Sequence, residues 1–271
     1  MNRKQYTALA FALVGAAALS AQAVAAKDLT VAVYSAFTTL DPYDASDTLS
    51  QNVAKSFYEG LFGFDKDMKL VNVLAESYDV SKDGLEYTIK LKQGIKFSDG
   101  EPFNAAAVKA NFDRVTNPEN HLTRYQLYRN IESVEVVDDA TVKFHLKEAF
   151  SAFINQLAHP SGVMICPKTL ALPKKEVAFN PCGTGPYVLE KYNPAEYLVV
   201  KKNPSYWQKG LPKLDSISFR PVLEDATRVA MLRTGEAQFV DVVPPEHVER
   251  LKETPNIVVD AAPSIVQRQI Y

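Results

Sequence analysis

Cysteine and histidine, two common metal ligands, are scarce in this sequence. Its 271 residues include only two cysteines and four histidines, and it contains neither a His-Glu-x-x-His motif nor a cysteine pair at zinc spacing. The histidines are far apart in the chain, at His121, His145, His159 and His247. We therefore expect no metal centre, and no motif indicates a cofactor.

Motifs that carry common enzyme chemistry are also missing. No Gly-x-Ser-x-Gly occurs, so the sequence offers no nucleophile elbow. The run Gly183-Thr184-Gly185 could suggest a phosphate loop, but Pro186 has no backbone N–H and no Gly-Lys-Ser follows. We interpret this run as a turn that enters a strand, and we expect that the protein is not an enzyme.

Acidic and basic residues occur in nearly equal numbers in this sequence. The formal net charge is −2, and removal of residues 1–26 would take away Arg3 and Lys4 but no acidic residue, which gives −4. The sequence has no block of like charge, no low-complexity tract and no internal repeat. This composition disfavours nucleic-acid binding.

The first 26 residues have the pattern of a secretory signal peptide. Arg3 and Lys4 precede an apolar run from Ala8 to Leu19, and the small residues of Ala21–Ala26 provide a cleavage site. A membrane anchor is the alternative, but the run is shorter than the roughly 20 residues that a bilayer span requires. No cysteine follows at a lipobox position, so we expect a protein that is exported without a lipid anchor.

Hydrophobic periodicity predicts a mixed α/β fold. Asn104 is a predicted N-cap for a helix over Ala105–Arg114, and Leu49, Val53, Phe57 and Leu61 have helical spacing. A helix is also predicted over Asp225–Arg233, and another after Pro245. Alternating patterns predict strands at Leu29–Val33, Leu85–Leu91, a short segment at Ile95 and Phe97, Ile131–Val137, Val142–Leu146, Tyr187–Glu190, Tyr197–Lys201 and Ile217–Phe219.

The two cysteines, Cys166 and Cys182, form an even count in a chain that we expect to be exported. This makes a disulfide plausible, and two buried free thiols are the alternative.

Several ordered motifs resemble one protein family. They are Leu74–Asn104 with the helix behind it, Gly183–Tyr187, Asn203–Trp207, Pro212–Asp215 and Thr234–Ala237. In order and rough spacing they resemble the bacterial extracellular solute-binding proteins that serve ATP-driven importers of peptides, nickel and glutathione. The resemblance covers everything after the leader.

The resemblance implies a two-lobed clamshell in the periplasm. It assigns residues 27–63 and 184–271 to an incomplete first ligand-binding lobe and residues 64–183 to an inserted β-rich subdomain. The second lobe would then be absent, and the chain would be a fragment that ends on the strand-like run Ile265–Tyr271. A natural short variant is the alternative.

Within the family, three segments are most similar to the glutathione-binding branch: Phe37–Ala45, Asp47–Gln51 and Phe103–Asn111. The implied ligand is glutathione or a related short peptide, with a di- or oligopeptide or a nickel chelate as the alternative. The implied partners are an inner-membrane permease and its ATPase subunits, and we expect a monomer. The cysteine pair departs from the pattern of that branch.

Ligand contacts are expected in four parts of the chain, two of which, the loop after the first strand and the segment with His159, correspond to cleft segments of the family that the chain resembles. The first is the loop after the first strand, with Phe37, Thr38 and Thr39, where a threonine that only caps a helix is the alternative. Arg124 and Tyr125 suit carboxylate pairing and stacking but could also lie on a surface helix face.

The other two parts are the segment with His159 and Ser161 and the strand-like run with Arg268. A histidine in such a position is often structural. Arg268 could equally point to solvent because side chains alternate along a strand.

Overall fold

The computed structural model describes residues 27–261, so the predicted signal peptide and Arg268 lie outside the described residues. The strands are β1 (Asp28–Val33), β2 (Phe62–Phe64), β3 (Leu70–Asn72), β4 (Ala75–Val80), β5 (Glu86–Leu91), β6 (Ile131–Asp138), β7 (Thr141–Leu146), β8 (Tyr187–Asn193), β9 (Tyr197–Lys202), β10 (Ser216–Pro221) and β11 (Phe239–Val240). The helices are α1 (Thr48–Ala54), α2 (Ala105–Thr116), α3 (Tyr125–Tyr128), α4 (Phe153–Leu157), α5 (Pro167–Leu170), α6 (Lys174–Val177), α7 (Asp225–Thr234) and α8 (Pro245–Lys252). Between residues 27 and 261 no helix has the length and apolar character that crossing a membrane requires.

The first sheet joins the beginning of the described chain to its last third. Its five strands lie in the order β11-β1-β10-β9-β8, and β1 runs parallel to both β10 and β11. Val31 and Val33 of β1 point into the main core, whereas Ala32 packs with Met231 and Ala237 on the opposite face. The second half of β1 is therefore buried on both sides of the sheet.

The second sheet is antiparallel, with the order β4-β5-β7-β6. Every second residue of β5 and β7 is buried, which is the alternation that the sequence predicted. Helix α2 covers this face, and the ring of Phe112 meets that of Phe144 edge to face at 4.9 Å. The predicted N-cap of α2 is confirmed, since the Asn104 side chain accepts a hydrogen bond from the N–H of Ala107 at 3.0 Å.

One apolar core spans both sheets. It runs from Val33 and Val200 of the first sheet to Ile89 and Phe144 of the second. The mixed α/β class is confirmed. The assignment of 27–63 and 184–271 to one lobe and 64–183 to an inserted subdomain stays a prediction.

The predicted helix through Leu61 is wrong in length, because α1 ends at Ala54. The carbonyl oxygen of Ser56 accepts from the N–H of Tyr187 at 2.9 Å, and that of Phe57 accepts from Gly185 at 2.8 Å. These carbonyls are engaged by a distant segment and are no longer available to continue the helix. Phe57 and Leu61 are buried nevertheless.

The predicted short strand at Ile95 and Phe97 is reduced to one isolated bridge, between Lys96 and Pro102. Two backbone bonds flank it, from Phe97 N to Glu101 O at 2.9 Å and from Phe103 N to Ile95 O at 3.0 Å. The N–H of Glu101 donates to Asp99 Oδ1 at 3.1 Å and the carbonyl of Phe97 accepts from the N–H of Gly100 at 3.0 Å, so the ladder does not extend into the turn.

Two of the motifs that carry the resemblance meet at one carboxylate, that of Glu59. It accepts hydrogen bonds from Thr184 Oγ1 at 2.9 Å, from Tyr206 Oη at 2.7 Å and from Trp207 Nε1 at 2.7 Å. Burial raises the pKa of Glu59, and the three hydrogen bonds offset part of that increase. At Gly185 a Cβ atom would lie 2.5 Å from the backbone carbon of Phe57, so this approach requires glycine.

The predicted disulfide between Cys166 and Cys182 is confirmed, with the Cα atoms 5.4 Å apart. The disulfide closes the chain segment that contains α5 and α6. The N–H of Cys166 also donates to the carbonyl of Cys182 at 2.9 Å, and Ile165 and Gly183 form an isolated bridge beside the disulfide.

Removal of this disulfide is expected to lower the free energy of unfolding by about 3 kcal/mol, because it closes a loop of roughly 15 residues in the unfolded chain. For a domain of this size the melting temperature should fall by about 6–12 °C. The measurement is a thermal melt of the Cys166→Ser/Cys182→Ser variant against the parent chain. Equal melting temperatures would contradict a stabilising role, and a reductant should have no further effect on the double variant.

Candidate functional site

The candidate site lies at one edge of the first sheet. Because β1, β10 and β11 are parallel, their carboxyl ends meet there, and ligands of open α/β sheets commonly bind outside such ends. Two backbone hydrogen bonds hold this edge, from Val222 N to Val33 O at 2.8 Å and from Asp241 N to Ala32 O at 3.0 Å. The loop that leaves β1, residues 34–47, carries the first predicted ligand contacts.

Phe37 belongs to the core of this loop. Its side chain is 4% exposed, and its ring centroid lies 6.4 Å from that of Tyr192 and 6.5 Å from that of Phe219. These contacts give Phe37 a packing role, and contact with a ligand stays a prediction.

Thr38 and Thr39 take part in the local hydrogen bonding of the loop. The Thr38 N–H donates to Ser50 Oγ at 3.0 Å, and its hydroxyl donates to the Asp47 carboxylate, the N-cap of α1. Thr39 Oγ1 accepts from the N–H of Asp41 at 3.1 Å. Thr38 therefore supports a helix cap, although its side chain is exposed, and contact of Thr38 or Thr39 with a ligand stays a prediction.

Burial raises the pKa of Asp47, but hydrogen bonds from Ser50 and Thr38 outweigh that effect and hold the pKa below its usual value. The same balance applies to Asp44. Burial is again the largest single influence, and hydrogen bonds from Thr123 and from Lys174 lower the pKa overall. The loop thus carries two carboxylates that stay ionised at neutral pH.

A buried ion pair anchors the middle of the loop. Asp41 is 1% exposed, and its Oδ2 lies 2.5 Å from NH2 of Arg114, whose side chain is 10% exposed. Asp41 Oδ1 also accepts from the N–H of Tyr43 at 3.0 Å, and the Arg114 guanidinium lies 5.9 Å from the centre of the Tyr43 ring. The pair joins the loop after β1 to the last turn of α2.

Arg124 docks on the same loop. The backbone N–H of Arg124 donates to the carbonyl of Tyr43 at 3.0 Å, and its side-chain Nε donates to the carbonyl of Ala45 at 2.9 Å. Among residues 27–261 its two terminal guanidinium nitrogens have no hydrogen-bond partner. Tyr125 opens α3 beside it and is partly exposed.

His159 and Ser161 form a short chain of polar groups with Tyr128. Ser161 is fully buried, and its Oγ lies 2.8 Å from Nδ1 of His159 and 3.0 Å from Oη of Tyr128. The N–H of Ser161 also donates to His159 Nδ1 at 3.1 Å, so Nδ1 is an acceptor and the neutral ring carries its proton on Nε2. Burial lowers the pKa of His159, and the positive charge of Arg124 lowers it further.

The structure therefore brings together most of the predicted site. Arg124 is bonded to the loop that contains Phe37, Thr38 and Thr39, and its charge influences His159. Tyr43 supplies a further link, because its hydroxyl donates to the carbonyl of Val163 at 2.8 Å, two residues beyond Ser161. Arg268 lies outside the described residues.

Sequence reasoning missed the residues that hold this arrangement. Asp41 and Asp47 were within the quoted segments, but a single sequence does not show that Arg114 faces Asp41 or that Tyr128 reaches Ser161. The one signal was local: Asp47 precedes a helical pattern at N-cap spacing.

The site offers hydrogen-bond donors suited to a carboxylate: the two terminal nitrogens of Arg124 and Nε2 of His159. Within the described residues, the one grouping of potential metal ligands is Asp99 with Cys166 and Cys182. Both of those sulfur atoms are held in the disulfide, so that grouping does not offer thiolates to a metal.

The family of the chain follows from comparison with known sequences. A family model described as "Bacterial extracellular solute-binding proteins, family 5 Middle" matches residues 69–271. The chain belongs to the family 5 solute-binding proteins. This confirms the resemblance noted from the motifs, and it confirms the expectation that the chain is not an enzyme, because members of the family are solute-binding proteins.

Relatives within family 5 are similar to almost the whole chain. The glutathione-binding protein GsiB of Salmonella typhi is 62% identical over 248 residues, which are 92% of this chain and 48% of the relative. The chain spans about half the length of the curated relatives it matches.

Two solved structures share the fold. The periplasmic binding protein DppA of Helicobacter pylori, in complex with the peptide STSA, matches with a TM-score of 0.79 and 28% identity, over 86% of this chain and 50% of that one. NikZ of Campylobacter jejuni, in complex with Ni(L-His), matches with a TM-score of 0.75 and 28% identity, over 84% and 46%.

The Asp41→Asn variant is expected to lose about 3–5 kcal/mol of unfolding free energy, because it leaves the Arg114 guanidinium buried without its counter-ion. The measurement is urea unfolding followed by circular dichroism. The double variant Asp41→Asn/Arg114→Met should lose less than the two single variants together.

Asp113→Asn is the matched control for this experiment, since it breaks an exposed pair with Lys109 on the same helix. It should change stability little. An Asp41→Asn variant as stable as Asp113→Asn would contradict the anchoring role of the buried pair.

His159 is expected to titrate below its ordinary value of 6.5, and Arg124→Gln should raise the midpoint part of the way back because burial remains. As the pH falls, His159 binds its proton in the unfolded chain at a higher pH than in the folded chain. The contribution of His159 to stability is therefore present above pH 6.5 and falls as the pH drops from 6.5 to the lower folded pKa. NMR of the ring protons over pH 4–8 measures the midpoint, and His159→Gln assigns the signal. A midpoint at or above 6.5 would refute the assignment of burial as the main cause.

Proposed function

We propose that the chain forms part of a periplasmic solute-binding protein that captures glutathione, or a related short peptide, for an ABC importer. The observation that carries the proposal is the 62% identity with glutathione-binding protein GsiB along 92% of the chain. The predicted signal peptide at residues 1–26 would direct it to the periplasm, where it would act as a monomer.

The geometry of the site is compatible with this ligand class. Glutathione carries two carboxylates and one ammonium group. Arg124 and His159 provide donors for a carboxylate, and Asp44 and Asp47 place negative charge on the loop to which Arg124 is bonded. This combination of charges suits a zwitterionic peptide better than a neutral sugar or a nucleic acid.

The function requires binding and release without covalent chemistry. In the proposed mechanism the ligand is enclosed between two lobes, and the closed form delivers it to an inner-membrane permease driven by ATPase subunits. A micromolar site corresponds to about −8 kcal/mol. If about half of that came from contacts beyond this chain, its own affinity would be about millimolar.

A second candidate ligand class is a di- or oligopeptide or a nickel chelate. The observation behind it is the shared fold with DppA and NikZ, at 28% identity each. That identity is far lower than the identity with GsiB, so glutathione is the preferred proposal.

Glutathione at 10 mM is expected to raise the melting temperature of the chain by about 3–6 °C if its dissociation constant is about 1 mM. Arg124→Met should abolish the shift, because it removes the guanidinium donors, whereas Arg233→Met on the exposed side of α7 should keep it. Each variant is compared with and without ligand, which separates affinity from intrinsic stability.

Alanylalanine and nickel with histidine serve as the competing ligands in the same melts. A larger shift with either of them would favour the second candidate class. An unchanged melting temperature with all three ligands would contradict the proposal for this chain.

A further inference from the structure

A recess lies away from the sheet edge, between α3, the end of β7 and α4. We name it the α3–α4 recess. It has a volume of about 490 Å³, which falls within the range of small-molecule sites. Its lining includes Tyr125, Arg129, Lys147, Glu148, Phe150 and Gln156.

Three charged side chains line this recess, and none is neutralised by an ion pair. Arg129, Lys147 and Glu148 have no oppositely charged partner within 4.0 Å among residues 27–261. Two cations and one anion around one cavity complement a small molecule that carries both a carboxylate and an ammonium group.

The wall that carries these charges is fixed by hydrogen bonds. The Lys147 ammonium donates to the carbonyl of Arg129 at 2.8 Å, and the Asn130 side chain both donates to the carbonyl of Glu148, at 2.9 Å, and accepts from its N–H, at 3.1 Å. The Phe150 carbonyl accepts from the Tyr87 hydroxyl at 3.0 Å. The lysine keeps two further N–H donors for a ligand.

The recess also has apolar surface. The Phe150 side chain is 40% exposed, and the partly exposed Tyr125 faces the same cavity. Gln156 lines the recess as well.

We propose that the α3–α4 recess is a second binding site, which takes a free α-amino acid with an apolar side chain. Arg129 and Lys147 hold the carboxylate, Glu148 holds the ammonium group, and Phe150 and Tyr125 contact the side chain. This site is separate from the carboxylate donors Arg124 and His159, although Tyr125 lies between the two.

The test uses L-phenylalanine as the probe, with saturation-transfer NMR on the purified chain. The expected result is binding in the millimolar range that becomes at least about tenfold weaker in Arg129→Met/Lys147→Met, since charge-assisted hydrogen bonds are lost. Phe150→Ala and Glu148→Gln should each weaken it. Lys175→Met, an exposed lysine on α6, is the matched control and should leave it unchanged.

Two related probes test the charge pattern. 3-Phenylpropionate lacks the ammonium group and phenethylamine lacks the carboxylate, so both should bind more weakly than L-phenylalanine. Equal binding of all three probes, or binding that the Arg129, Lys147 and Phe150 variants leave unchanged, would overturn the proposal.

Competition distinguishes this site from the one proposed for glutathione. Glutathione at 10 mM should leave the L-phenylalanine signal in place, whereas displacement would place the amino acid in the glutathione site and refute a second site. Because the probe is the amino acid itself, a failure of the chain to bind glutathione does not affect the outcome.

Discussion

The buried ion pair between Asp41 and Arg114 is the interaction on which the arrangement of the site depends. Asp41 lies in the loop after β1, and Arg114 lies on α2, which covers the second sheet. A pair of this kind adds little net stability over an apolar contact, but the loss of one partner leaves a charge without compensation. It therefore fixes where the loop lies relative to α2, and the contacts of Tyr43, Ala45 and Arg124 follow from that position.

Glu59 has a comparable role on the other side of the core. Its carboxylate gathers donors from Thr184, Tyr206 and Trp207, which belong to two separate sequence motifs. The close approach of Gly185 to Phe57 makes this convergence possible and also ends α1 early. Two of the motifs that carry the resemblance, Gly183–Tyr187 and Asn203–Trp207, are thus explained by packing and hydrogen bonding around one half-buried acid. The proposed ligand contacts come from other residues.

Local patterns predicted the elements whose stability is local. Alternation in β5 and β7, the Asn104 cap of α2 and the glycine that ends α7 were all visible in the sequence, because each depends on neighbours a few residues away. The predictions failed where distant groups compete for the same backbone. Phe57 continues the helical spacing of Leu49 and Val53, but the carbonyls of Ser56 and Phe57 bond to residues 187 and 185. At Ile95–Phe103 the failure was local, since the N–H of Glu101 bonds to the side chain of Asp99 and not to the carbonyl of Phe97.

The sequence by itself determined the family, the mixed α/β class and the chain segments from which ligand contacts were expected. It also placed Cys166 and Cys182 as a possible disulfide. Only the tertiary structure decided that Phe37 is packed between Tyr192 and Phe219, that Arg124 docks on the loop after β1 and that His159 reaches Tyr128 through Ser161. Sequence patterns report periodicity and local hydrogen bonding, whereas the partners of a buried side chain are set by which distant surfaces the core brings together.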